Sequence, residues 1–141
     1  MSNISVRDLM TENVASLTPD DSLGALFDLM SDKNIRHVPI VSEDGEVLGL
    51  VSHRDLVSSI MPIEPELPLS QRRQMLENMC IKDIMTEGVE TTEPEADIIS
   101  AAQTMLENKL GCLPVAENGH LEGILTESDF VRYVADRASE L

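Results

Sequence analysis

The sequence predicts an α+β protein built from two copies of one small unit, each ordered strand, helix, strand, strand, helix. Three observations lead there. The first is self-similarity at a fixed offset, because Val6-Arg7-Asp8-Leu9-Met10-Thr11-Glu12 returns 75 residues later as Ile81-Lys82-Asp83-Ile84-Met85-Thr86-Glu87. Val14, Pro19, Met30 and Pro39 return at the same offset as Val89, Pro94, Met105 and Pro114. One residue is then dropped, and an offset of 74 pairs Gly45 with Gly119, Gly49 with Gly123, Asp55 with Asp129 and Val57 with Val131. The second is helical spacing, and the third is a pair of turn signals between short apolar runs.

Each element follows from its residues. The order opens each unit on a strand, ahead of its first helix. Leu23, Leu26, Phe27 and Met30 stand at i, i+3, i+4 and i+7, as do Ile98, Ala101, Ala102 and Met105, so each unit carries one amphipathic helix. Pro19-Asp20-Asp21-Ser22 and Pro94-Glu95-Ala96-Asp97 are their starts, with acidic residues where the helix dipole favours them. Extended runs follow at His37–Val41 and Cys112–Ala116, then the turns Glu43-Asp44-Gly45 and Asn118-Gly119, of which Asn-Gly favours a tight hairpin. The last strands, Val47–Val51 and Leu121–Leu125, run into a second helix.

The expected organisation is therefore a first repeat over 1–60, a connector over 61–80 and a second repeat over 81–141. About fifty residues cannot bury their own faces, so the repeats should pack on one another. In the connector, Pro62, Pro65 and Pro68 forbid a helix before Ser70. A short helix then fits 70–79, with Ser70 as cap and Met75, Leu76 and Met79 on one face. It serves either to pack on the domain edge or to present a surface to a partner.

The formal charge of −16 excludes sequence-independent nucleic-acid binding, since the phosphate backbone would meet a repelling field. A small anion would need a local cation. No window approaches the ~18 apolar residues of a membrane span, and Met1-Ser2-Asn3-Ile4-Ser5 is no signal peptide, which predicts a cytoplasmic protein with no membrane partner. Cys80 and Cys112 show no ligand spacing and are expected as reduced thiols. Nothing has the spacing of a metal site. No nucleophile elbow, Walker loop or helical histidine pair is present, so the chain is not expected to be an enzyme.

The stretch with the most chemistry occurs twice, as Gly49-Leu50-Val51-Ser52-His53-Arg54-Asp55 and Gly123-Ile124-Leu125-Thr126-Glu127-Ser128-Asp129. The glycine allows a tight approach, the aliphatics fit a buried strand, and Ser52 or Thr126 can cap the following helix. The aspartates admit two readings. Ser-x-x-Asp and Thr-x-x-Asp are close to capping boxes, in which the side chains only satisfy backbone donors. A carboxylate is also apt for a vicinal diol, offering two acceptor oxygens to two donors, and a helix N-terminus suits phosphate.

With the Asp-hydrophobic-Met-Thr openings and the hydrophobic-Pro-hydrophobic strands, these endings resemble a tandem pair of cystathionine-β-synthase (CBS) domains over nearly the whole chain. The resemblance implies a free-standing Bateman module, its repeats related by a pseudo-two-fold axis and packed sheet to sheet around two clefts. It further implies a regulatory, homodimeric protein that senses adenine nucleotides (AMP, ADP or ATP) and signals by conformational change to a separate regulated protein. Carried over residue by residue, one cleft would use Thr126, Ser128 and Asp129 with Thr11, Val14, Ile35 and Arg36. The other would use Ser52, Arg54 and Asp55 with Thr86, Val89, Leu110 and Gly111.

The clefts should differ, because Arg36 and His37 precede Pro39 where Gly111 and Cys112 precede Pro114. Arg54 either reaches a phosphate or lies on the helix surface, and His37 is either a ligand neighbour or a strand-edge residue. Glu127 disfavours phosphate and suits a ligand of little negative charge, which keeps S-adenosylmethionine or a dinucleotide as an alternative. A ligand-free dimerisation or docking module is the other. No cofactor is required, and Mg2+ would enter only with a polyphosphate.

Overall fold

In the computed structural model, which describes residues 4–60 and 66–137, each repeat's opening segment folds onto the other repeat. In chain order the elements are α1 (Val6–Leu9), α2 (Leu23–Lys33), β1 (His37–Val41), β2 (Val47–Ser52), α3 (His53–Ile60), α4 (Leu69–Glu77), a 3-10 turn (Ile81–Asp83), β3 (Thr86–Glu87), α5 (Ile98–Asn108), β4 (Cys112–Glu117), β5 (His120–Thr126) and α6 (Glu127–Asp136). They form two compact units that run across the repeats. One joins the chain up to Val14 with Glu90 onward; the other spans Ala15–Val89.

The exchange is made by equivalent backbone bonds in both units. In the first, Val6 N donates to Ala96 O (2.8 Å), Arg7 N to Pro94 O (2.8 Å) and Ile98 N to Ile4 O (3.3 Å). In the second, Ile81 N donates to Asp21 O (2.9 Å), Lys82 N to Pro19 O (3.0 Å) and Leu23 N to Met79 O (2.9 Å). Burial drives it. Val6, Leu9 and Met10 join a core with Ile98, Ala101, Met105, Leu113, Val115 and Leu125, and Ile81 joins Leu23, Leu26, Met30, Val38, Ile40, Val51, Leu56 and Leu76. Each opening thus supplies apolar surface that a repeat of this size lacks.

The openings are less extended than their pattern predicts. Val6, Leu9 and Met10 share one face of a helical turn whose start is held by Asp8 Oδ2, which accepts from Ser5 N (3.0 Å) and Ser5 Oγ (3.2 Å). Strand pairing survives in short pieces on either side of it, as antiparallel bridges from Ser5 to Asp97 and from Thr11 to Ile124, and in the other unit as a bridge from Cys80 to Ser22 and the two residues of β3 against Gly49 and Leu50.

The hairpins follow expectation. β1 pairs antiparallel with β2 and β4 with β5, each with a bulge, after Ile40 and after Val115. Asn118 and Gly119 both have positive φ (54° and 84°), the tight turn that Asn-Gly favours. The first hairpin is one residue longer and turns at Gly45 (φ 89°), where the repeat offset falls.

Helix α2 is capped by Ser22 Oγ, accepting from Ala25 N (3.0 Å), and α5 by Asp97 Oδ1, accepting from Ile99 N (3.1 Å). Of the apolar stripe on α2, Phe27 is 41% exposed, because it sits on the rim of a surface cavity and not in the core. Helix α4 starts one residue earlier than expected, with Pro68 as its N-cap at φ −54°; Ser70 is an exposed first-turn residue and caps nothing. Leu76 enters the core, whereas Met75 is 40% exposed. Arg73 on α4 pairs with both oxygens of Asp28 on α2, which ties the two helices together. Pro62 and Pro65 lie outside the described residues.

Candidate functional site: the carboxylates that end each repeat

Glycine opens both copies of the repeated stretch because a carbonyl lies where a Cβ would go. A Cβ on Gly49 would stand 2.4 Å from Thr86 O, and one on Gly123 would stand 2.7 Å from Thr11 O. The exchanged opening therefore runs across the strand that leads to each aspartate, which brings Thr11 toward Asp129 and Thr86 into the unit of Asp55.

The two aspartates differ in their surroundings. Asp55 is half-buried, and Ser52 N donates to its Oδ2 (2.8 Å) while Asp55 N donates to Ser52 Oγ (3.1 Å), a reciprocal capping box at the start of α3. Among the described residues, nothing donates to its Oδ1. Asp129 is only 2% exposed and accepts four bonds. Its Oδ2 receives Thr126 N (2.9 Å) and Thr126 Oγ1 (3.3 Å), and its Oδ1 receives Arg132 Nη1 (2.9 Å) and Thr11 Oγ1 (3.4 Å). A carboxylate has about four acceptor positions, so the chain itself fills those of Asp129. Asp55 Oδ1 thus keeps its acceptor capacity among the described residues, whereas a new donor to Asp129 Oδ1 would displace Thr11 or Arg132.

Arg132 was not legible as a site residue. Its counterpart in the first repeat is Ser58, and this Arg-for-Ser difference three residues beyond the aspartate is the sequence signal of the different bonding at Oδ1. Beside Asp129 lies a cavity of about 120 Å³ lined by Asp8, Leu9, Arg132, Tyr133, Asp136 and Arg137, with the Arg137 guanidinium 3.8 Å from the Tyr133 ring centre.

The remaining expected residues are distributed as follows. Val14 falls in the unit of Asp129, and Val89 in the unit of Asp55. Ile35 and Arg36 lie with the ending of their own repeat, where His53 N donates to Arg36 O (2.7 Å) and both line a cavity of about 220 Å³ with His53 and Phe27. Leu110 and Gly111 do likewise in the other unit. Glu127 N donates to Gly111 O (3.2 Å), and Leu110 and Glu127 line the counterpart cavity of about 560 Å³ with Met105, Lys109 and Phe130. Ser128, Arg36 and Arg54 are exposed, and among the described residues neither arginine forms an ion pair. His37 is half-buried, opposite Ser52 in the β1–β2 register.

Both cysteines are free, and the Cys112 thiol is pushed up to about 12, first by burial and then by the charge of Glu127. It is no nucleophile at neutral pH. Among the described residues no group of three or more His, Cys, Asp or Glu is placed to hold a metal, and no helix is long and apolar enough to cross a membrane.

An exchanged opening, a glycine under its carbonyl and a carboxylate at a helix start, each present twice, define a tandem α+β repeat module. The chain belongs to the CBS domain family, whose model matches residues 6–62 and 81–136. It is 34% identical over 125 residues to the uncharacterized protein YlbB of Bacillus subtilis, covering 88% of this chain and 78% of YlbB. It is 28% identical over 130 residues to the uncharacterized protein MJ1225 of Methanocaldococcus jannaschii, of which it spans 42%. The chain spans 25% of a homoserine O-acetyltransferase of Methanohalobium evestigatum at 28% identity, so that relative and MJ1225 are each more than twice as long as this chain.

Among solved structures, a Vibrio cholerae protein described as an acetoin utilization protein (AcuB) superposes with a TM-score of 0.82 at 32% identity, over 99% of this chain and 97% of that one. CBSX2 in complex with AMP gives 0.80 at 26% identity, over 95% and 98%. The CBS domain pair of MJ0100, in complex with 5′-methylthioadenosine and S-adenosyl-L-methionine, gives 0.78 at 22% over 95% and 98%, a likeness of fold.

Proposed function

We propose that this chain is a regulatory module that binds an adenine nucleotide, AMP, ADP or ATP, through the carboxylates ending its repeats. It passes its ligand state to a separate protein by a change of conformation. The observation that carries the reading is that, among the described residues, Asp55 Oδ1 at the start of a helix accepts no bond and the exposed Arg54 beside it forms no ion pair: an acceptor for ribose hydroxyls next to a cation for phosphate. The complex of CBSX2 with AMP supports the same ligand class. On this reading Thr11, Val14, Ser52, Thr86, Val89, Thr126 and Ser128 frame the sugar and base, and Ile35, Arg36, His37, Leu110 and Gly111 extend the binding surfaces. The module acts as a cytoplasmic homodimer. It needs no resident cofactor, and Mg2+ arrives only with a polyphosphate. Signalling requires that the ligand favour one conformation over another.

A thermal-shift panel tests it. A binding ligand at a hundred times its dissociation constant adds about 2.7 kcal/mol of stability and raises the melting temperature. AMP, ADP or ATP is expected to do so. A flat response to these and to S-adenosylmethionine would leave a docking or dimerisation scaffold. A response to S-adenosylmethionine alone would favour the second reading, which the Glu127 carboxylate on the rim of the apolar 560 Å³ cavity supports, because a sulfonium cation suits that setting.

A further inference from the structure

The two carboxylates have the same place in their repeats but not the same neighbours three residues on. Arg132 Nη1 holds Asp129 Oδ1 at 2.9 Å, and Thr11 Oγ1 shares that oxygen at 3.4 Å. Asp129 is almost fully buried, whereas the Arg132 side chain is 60% exposed, so the arginine reaches in from the surface and covers the carboxylate. Ser58, exposed and too short to reach back, stands at this position in the first repeat, and among the described residues Asp55 Oδ1 has no donor.

We propose that Arg132 makes the two binding positions unequal, acting as an internal occupant that closes the Asp129 carboxylate while Asp55 takes the ligand. This rests on the nucleotide reading above and deepens it: one nucleotide binds per chain, at the first repeat's ending. The second position opens only when Arg132 is withdrawn. Both donors on Asp129 Oδ1 are side chains, so a ribose hydroxyl can replace them in kind. It must do so against a charge-assisted bond that is already made, which lowers affinity there by roughly ten- to a hundredfold relative to an open carboxylate.

Exchanging the residues between repeats tests this on the full chain by isothermal titration with AMP, with melting temperature followed in parallel. Wild type is expected to bind one AMP per chain, Asp55→Asn to lose that site, and Asp129→Asn to keep it. Arg132→Ser is expected to reveal a second site. Ser58→Arg, at an exposed position where folding is not at stake, is expected to weaken the first about tenfold or more. Two equal sites in wild type, or binding that survives Asp55→Asn and not Asp129→Asn, overturns the inference and leaves the nucleotide reading standing. Weaker binding in Arg132→Ser also overturns it, since Arg132 would then be holding phosphate. If wild type binds none of AMP, ADP and ATP, by heat or by melting temperature, the nucleotide reading itself falls and this inference with it; if only ADP or ATP binds, the same variants are titrated with that nucleotide.

Discussion

Thr11 and Asp129 are 118 positions apart, and Thr11 Oγ1 donates to Asp129 Oδ1 across 3.4 Å. That bond joins the opening of one repeat to the ending of the other. The same carboxylate caps α6 and holds Arg132, so it anchors three segments at once.

Asp129 should therefore matter more for stability than its counterpart. Asp129→Ala removes a buried acceptor from four donors and is expected to destabilise by about 3 kcal/mol, with Thr126 N left unpaired. Asp55→Ala loses one side of a half-exposed capping box, a loss of about 1 kcal/mol. Urea denaturation of the two variants checks the ranking, and equal losses would show that burial of Asp129 contributes nothing.

Gly49→Ala should be among the most damaging small substitutions in the chain. Its Cβ would stand 2.4 Å from the backbone oxygen of Thr86, which cannot move aside without breaking the β2–β3 pairing. A destabilisation of about 1–3 kcal/mol, with faster hydrogen exchange at Thr86 and Glu87, is expected. Gly24→Ala is the contrasting case. The nearest atom to its Cβ would be Glu77 Cγ at 3.0 Å, a side-chain methylene that can shift, and at the second residue of α2 alanine gains up to about 1 kcal/mol in propensity.

The attachment of α4 should be acid-labile. Hydrogen bonds from Arg73 hold the Asp28 carboxyl below its usual 3.8, and Arg73 is raised in turn by Asp28 and Glu77. A depressed carboxyl stabilises the fold fully above its unfolded value and loses that contribution as pH falls through the lower, folded value. Proteolytic cleavage within α4 is expected to rise as pH drops below about 4, and Arg73→Ala should abolish this dependence. Both side chains are substantially exposed, so high salt should weaken the effect.

The sequence revealed the elements because the chain says everything twice. Helical spacing marked α2 and α5, and Asn118-Gly119 marked its hairpin to the residue. The exchange of openings was hidden for the same reason: a repeat alignment assigns Val6–Glu12 to the residues that follow it, whereas burial of Val6 against Ile98 and Leu113 decides where it goes. The double nature of the aspartates was also legible in part. Ser-x-x-Asp forms the cap that its spacing allows, and whether an oxygen remains open depends on Arg132 or Ser58, a residue pair outside the motif. Phe27 fits the apolar stripe of α2 and still faces a cavity, since periodicity gives a direction from the helix axis and not what lies there.

Crossing of the openings between repeats makes the molecule a poor candidate for dissection. A cut within 61–80 would give two fragments, each lacking the segment that completes its own sheet and core and each carrying the segment the other needs. Such halves are complementary parts, able to recombine across molecules, and a tandem gene of this kind can be shuffled only as a whole.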